Sequence, residues 1–241
     1  HEELDRAVAF MRQFKIQFGE GKRPWSDEKL LVECCKMALI VRDLMVGNPK
    51  LADEGLGKKQ GFAANIEYAQ GCNAIAAGTQ GQRQWTDLYP NYDLVESILG
   101  SSFDWNGYRA PYIVATENDS KNGMGMLIAH LLTGMPQLFA DIRTNWTPAS
   151  IQKATGIDVT KVAPRGIIDK RNSGAGALDY ALDVPGLVRG SSTLSMQEVA
   201  AAIAADPKLQ KKLMDKAIAG TTYMAASLEY FPGDGLSSHY R

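Results

Sequence analysis

Pro111-Tyr-Ile-Val-Ala-Thr116 is followed by Glu117-Asn-Asp-Ser120, an apolar-periodic run from Lys121 to Leu132, Gly134, and then Gln137-Leu-Phe-Ala-Asp-Ile142. This stretch decides the fold class. Its first six residues are apolar and β-branched, which predicts a short buried strand. Four polar residues then break the run, Ser120 is placed to cap a helix, and Gly134 is placed to close it. Gln137 to Ile142 reads as a second short strand with Asp141 near its end. Strand, polar turn, helix, strand is the βαβ grammar of an α/β domain, in which ligands gather beyond the carboxyl ends of the strands. Glu117 and Asp141 both fall at such ends.

Upstream, Leu4, Ala7, Val8, Met11, Phe14 and Phe18 recur with one-face spacing, predicting a helix stopped by Gly19 and Gly21. A second helix starts after Ser26, has Asp27 and Glu28 in its first turn, and turns Leu30, Leu31, Cys34, Met37, Ala38, Val41, Leu44 and Met45 inward. Gly47-Asn48-Pro49 ends it as a left-handed cap followed by proline. Residues 53–71 are polar and glycine-containing and read as a loop. Downstream, Ser195-Met-Gln-Glu198 is a capping box for a helix through Ala205, and Asp206-Pro207 restarts a helix to Ala219. Thr221 to Tyr230 reads as a strand.

Composition bounds the function. The 241 residues carry 26 Lys+Arg against 27 Asp+Glu, a formal net charge of −1, so the basic field of a nucleic-acid binder is missing. Apolar runs such as Met126 to Leu132 are far shorter than the roughly 20 residues of a membrane span. No basic leader with an apolar core opens the chain, and its start at His1 is expected of a piece of something longer. Cys34, Cys35 and Cys72 form neither a disulfide framework nor a C-x-x-C pair, which points to reduced cytosolic thiols.

Few residues suggest chemistry. Glu117 and Asp141 offer hard oxygen donors suited to Mg²⁺ or Mn²⁺, the alternative being that each caps a helix or pairs with Arg143 or Lys121. His130 reads as a satisfied core histidine. Gly78-Thr-Gln-Gly-Gln-Arg-Gln-Trp-Thr-Asp87 has no core-facing period and reads as a binding loop in which the Trp85 face could pack on sugar C–H groups. Gly174-Ala-Gly176 lacks the third glycine of a dinucleotide site, and no nucleophile set can be assembled.

Several ordered runs resemble the L-fucose isomerase family: Val41–Asp53, Asn73–Gly78, Gln80–Asp87, Ser102–Gly107, Ala115–Ser120, Phe139–Thr144, Gly166–Ile168, Asn172–Gly174 and Glu229–Phe231. The resemblance implies the middle of a longer protein. It implies a partial three-layer, Rossmann-like α/β domain over residues 1–131 and the beginning of a mixed α+β, barrel-like C-terminal domain over residues 132–241. It further implies a cytoplasmic, manganese-dependent aldose–ketose isomerase, hexameric, converting L-fucose to L-fuculose and D-arabinose to D-ribulose.

By motif, Glu117 and Asp141 take the family's metal-binding and acid/base places, and Gln80 and Ser173 its sugar contacts. The family's third metal ligand, a histidine, has no counterpart here. Leu236 stands where the family has a tyrosine. The competing expectation is a non-catalytic sugar- or metal-binding module that keeps the scaffold.

Overall fold

The computed structural model describes residues 2–14, 16–18, 25–78, 92–171, 176–181, 196–220 and 224–225. Helix α1 spans Glu2–Met11, with Glu2, Glu3 and Asp5 in its first turn where the helix dipole favours acids. It buries Ala7, Val8, Phe10 and Met11. The helix stops seven residues before Phe18, because Gln17–Phe18 (β1) pairs in parallel with Met224–Ala225 at the far end of the chain. Phe14 stays in the core after the helix has ended, edge-on to Phe10 at 5.4 Å.

Helix α2, Asp27–Val46, begins as its sequence requires, with the Ser26 hydroxyl accepting from Lys29 N at 3.3 Å. Its buried face holds Leu30, Leu31, Cys34, Cys35, Ala38 and Met45, whereas Leu44, expected inward, is 51% exposed. Gly47 has φ +82° but ψ 166°, so the chain leaves α2 extended rather than through the expected left-handed cap. The expected loop at 53–71 contains two short helices. Asp53 caps α3 (Glu54–Gln60), Gly61 closes it in the left-handed region, and Asn65 caps α4 (Ile66–Gln70). Local capping outweighs the weak apolar pattern there.

Strand β2, Ala77–Gly78, pairs in parallel with β5, Val114–Ala115. Between them lie α5 (Asp93–Gly100) and the hairpin of β3 (Phe103–Asp104) and β4 (Gly107–Tyr108). Leu94, Val95, Ile98 and Leu99 of α5 are at most 2% exposed and join α1, α2 and Phe103 in the main core. Arg109 caps the end of α5, donating to the carbonyls of Ile98, Leu99 and Ser101 while it pairs with Asp104 at 2.7 Å. Segment 176–181 is clasped there too: Ser97 Oγ donates to Gly176 O, and Leu178 N donates to Ser101 Oγ, both at 2.8 Å. Burial pushes the Asp179 carboxyl up, and it accepts from Ser102 N at 2.9 Å.

Helix α6 is Ser120–Thr133, one residue longer at each end than expected, and Asp119 rather than Ser120 caps it, accepting from Lys121 N and Asn122 N. Gly134 ends it in the left-handed region, as the sequence predicts. Met126 of α6 packs with Ile113, Ala115 and Phe139 in a second, smaller core.

The next strand differs from expectation. It is β6, Asp141–Trp146, so Asp141 begins a strand rather than closing one over 137–142. Strand β6 pairs antiparallel with β7, Ile167–Arg171, across the helix α7, Pro148–Thr155. The βαβ reading of 111–142 is therefore corrected: the parallel partner of β5 is β2, upstream of it. Helices α8 (Met196–Ala205) and α9 (Pro207–Gly220) fall where the sequence puts them, while Ser195 lies outside the described residues. The architecture is mixed α/β, with the described strands in four two-stranded pairs.

Candidate functional site

The candidate site starts at the carboxyl end of β5. Thr116–Asn118 form one 3₁₀ turn, inside which Glu117 (φ 57°, ψ 16°) and Asn118 (φ 55°) are both left-handed. Asparagine tolerates that region, but glutamate seldom adopts it, and such strain costs about 1–3 kcal/mol per residue. Strain of this kind persists where the surroundings over-determine it, and it gathers at functional sites.

The surroundings here do so. Asp119 N donates to Thr116 O at 3.1 Å, and Asp119 Oδ1 caps α6. Gly78 of β2 passes so close that a Cβ on it would lie 2.5 Å from Asn118 Oδ1 and 2.9 Å from Asn118 Cα. The Glu117 side chain is half-buried, and no described residue hydrogen-bonds or ion-pairs with it, Lys121 included. A poised carboxylate on strained backbone at a strand end suits a ligand better than a cap.

Asp141 reaches the same neighbourhood through α6. Asn122 Nδ2 donates to Ala140 O at 3.1 Å and to Asp141 Oδ1 at 3.4 Å. Arg143 Nη2 lies 3.0 Å from Asp141 Oδ2, so the pairing that the sequence offered as the alternative does exist. That guanidinium is 52% exposed and sits where the β6–β7 register slips between Ile142 and Thr144. An ion pair with a half-exposed partner contributes about 0–1 kcal/mol, so it yields readily to a stronger cation. The register shift leaves Arg143 without a ladder partner beside Asp141, and irregularities of this kind are over-represented at sheet edges and next to active sites.

Among the described residues no group of three or more His, Cys, Asp or Glu could hold a metal ion. Gln80, Trp85 and Ser173, the expected sugar contacts, lie outside the described residues, as does Leu236. His130 is half-buried with its Nδ1 2.9 Å from Met135 O, the satisfied histidine that the sequence suggests. Sequence reasoning missed Glu96, 5% exposed on α5, whose Oε2 accepts from Thr116 Oγ1 at 2.6 Å. The signal was there: one acid inside the apolar run Leu94-Val-Glu-Ser-Ile-Leu99.

Comparison with known proteins gives the family. Residues 1–134 match the family model described as L-fucose isomerase, second N-terminal domain. The chain is similar to the L-fucose isomerase of Klebsiella pneumoniae subsp. pneumoniae, 44% identical over 245 residues, covering 99% of this chain and 38% of the relative. It is similar to those of Citrobacter koseri, at 44%, and Escherichia coli O139:H28, at 42%, with the same coverage. The chain thus spans about 38% of the length of these curated relatives.

Proposed function

Because the chain belongs to the L-fucose isomerase family, we propose that the whole protein is a metal-dependent aldose–ketose isomerase converting L-fucose to L-fuculose, and D-arabinose to D-ribulose. The observation that carries this reading is the 44% identity extending over 99% of the chain. The strained Glu117 at the end of β5, with no hydrogen-bonding or ion-pairing partner among the described residues, supports it locally. We place a Rossmann-like domain over 1–131 and a mixed C-terminal domain from 132. The parallel pair β2–β5 is compatible with the former.

Aldose–ketose isomerisation moves one proton from C2 to C1 and another from O2 to O1, through an ene-diol. Glu117 and Asp141 divide the acid and base duties of these transfers. The two carboxylates also fit a divalent cation in donor chemistry, and Arg143 at 3.0 Å already stands as a cation beside Asp141. Glu117 and Asp141 would therefore hold Mn²⁺, with further ligands from outside the described residues. When bound, the ion would supply Lewis-acid stabilisation of the charge developing on the sugar.

Gln80, Trp85 and Ser173 are the proposed sugar contacts. A cytoplasmic homo-oligomer, a hexamer by family resemblance, completes the reading. Met124, Ile128 and Leu131 of α6 are 62%, 56% and 67% exposed, an apolar stripe that supports association. Among the described residues no helix is long and apolar enough to cross a membrane.

The test uses the whole protein, stripped of metal and resupplied with Mn²⁺, with ketose formation from L-fucose as the readout. Ketose that appears only on resupply supports the reading, and absence of turnover with metal present contradicts it.

A further inference from the structure

We propose that Glu96 is a positioning residue for the acid/base carboxylate: through the Thr116 hydroxyl it holds the left-handed turn that carries Glu117. The inference rests on the isomerase reading above and adds a residue that neither the sequence motifs nor the family match singles out.

The argument begins with the cost of the residue itself. Glu96 lies between Val95 and Ser97, both 0% exposed, on a helix otherwise committed to the main core. A carboxylate so placed is unfavourable unless its oxygens are used, and an apolar residue would be tolerated better if packing were the only need. One oxygen is used by Thr116, whose Oγ1 donates to Glu96 Oε2 at 2.6 Å in a charge-assisted bond. The Thr116 main chain is fixed independently, its carbonyl accepting from Asp119 N at 3.1 Å.

Only Glu117 and Asn118 lie between those two anchors, and both are left-handed. Gly78 backs Asn118 so closely that a Cβ could not be accommodated without a shift. The turn is consequently gripped at Thr116 by α5, at Asp119 by α6 and at Asn118 by β2. Of the two grips made by hydrogen bonds, at Thr116 and at Asp119, the one at Thr116 adjoins Glu117 directly through a peptide bond. Releasing the hydroxyl lets the turn relax towards unstrained backbone, and the Glu117 carboxylate moves with it.

The experiment is a variant series in the whole protein, with kcat and KM for L-fucose, thermal midpoint, and Mn²⁺ affinity measured by electron paramagnetic resonance without sugar. Thr116→Ser keeps the hydroxyl and stays near wild type. Thr116→Val removes it and lowers kcat and Mn²⁺ affinity by about 10–100-fold, the range for outer partners of metal-binding side chains, with a smaller change in KM.

The decisive variant combines Thr116→Val with Glu96→Leu. Replacing both ends of this bond by apolar groups returns part of the lost stability, since Glu96 makes a further interaction besides that with Thr116, yet kcat and Mn²⁺ affinity stay low if the pair positions Glu117. Their return to wild-type values along with the midpoint would show a purely structural pair and overturn the proposal. Should that variant not fold, Thr116→Ala against Thr116→Ser decides by the same readouts, and equal turnover and metal affinity overturn it. A wild-type protein that neither binds Mn²⁺ nor forms ketose overturns the isomerase reading, and this inference falls with it. Wild-type turnover with unaffected variants overturns the positioning role alone.

Discussion

The side-chain amide of Asn122 reaches Asp141 Oδ1 at 3.4 Å while donating to the preceding carbonyl, Ala140 O, at 3.1 Å. Asn122 sits in the first turn of the helix that starts three residues after Glu117, so one amide ties the start of β6 to the turn at the end of β5. Two carboxylates distant in the fold's strand pairing are thereby set in relation to one another. Asn122→Ala is expected to lower kcat about 10-fold or more through loss of an outer partner, with KM less affected. Steady-state kinetics on L-fucose checks this, and an unchanged kcat would show that the Ala140 and Asp141 contacts are dispensable.

Gly78→Ala tests the other side of the turn. Its Cβ would meet Asn118 Oδ1 at 2.5 Å and Cα at 2.9 Å, and backbone cannot yield as a flexible side chain does. Overpacking of this kind costs about 1–3 kcal/mol. A lower thermal midpoint together with reduced turnover is the expected result; a midpoint and turnover both equal to wild type would show that the turn has room.

How much of this was legible in the sequence follows a physical rule. Local signals were read correctly: the Ser26 cap, the Gly134 stop and the Asp206-Pro207 restart each depend on neighbours a few residues away. Glu117 was placed at a strand end for the same reason. Non-local pairing was not legible. Nothing near Asp141 announces that β6 will pair with residues 167–171, or that Gln17–Phe18 will pair with 224–225. The helices α3 and α4 were missed because capping by Asp53 and Asn65, not an apolar face, defines them. Asp119 and Ser120 are both good caps, and only the backbone decides between them.

Glu3 supplies a pH-dependent prediction. Hydrogen bonds from Arg42, at 2.5 and 3.2 Å, hold its carboxyl down to about 2 from an ordinary 4.5, against an opposing effect of burial. A depressed folded value stabilises the protein above the unfolded value, and that stability is lost as pH falls through the folded one. Glu3→Gln is expected to cost about 1–3 kcal/mol at pH 7, and clearly less at pH 3. Urea denaturation of wild type and variant at the two pH values measures the difference. A cost independent of pH would show that the charge of Glu3 contributes nothing.

The cysteines offer a chemical check. Burial pushes the Cys35 thiol up to about 12 and the Cys34 thiol also well above its usual range, so neither presents a thiolate. Cys72 is exposed. Iodoacetamide labelling of the native protein, read by peptide mass spectrometry, should leave Cys34 and Cys35 unmodified until denaturant is added. Native labelling of either would contradict the packing of α2 against α1.

The central claim is that Glu117 and Asp141 together carry the isomerisation. Its most direct test is ketose formation from L-fucose with Mn²⁺ by the whole protein bearing Glu117→Gln or Asp141→Asn, each near-isosteric and each checked for an unchanged circular dichroism spectrum. The account predicts loss of turnover in both variants with the fold intact. Wild-type turnover in either one would contradict it.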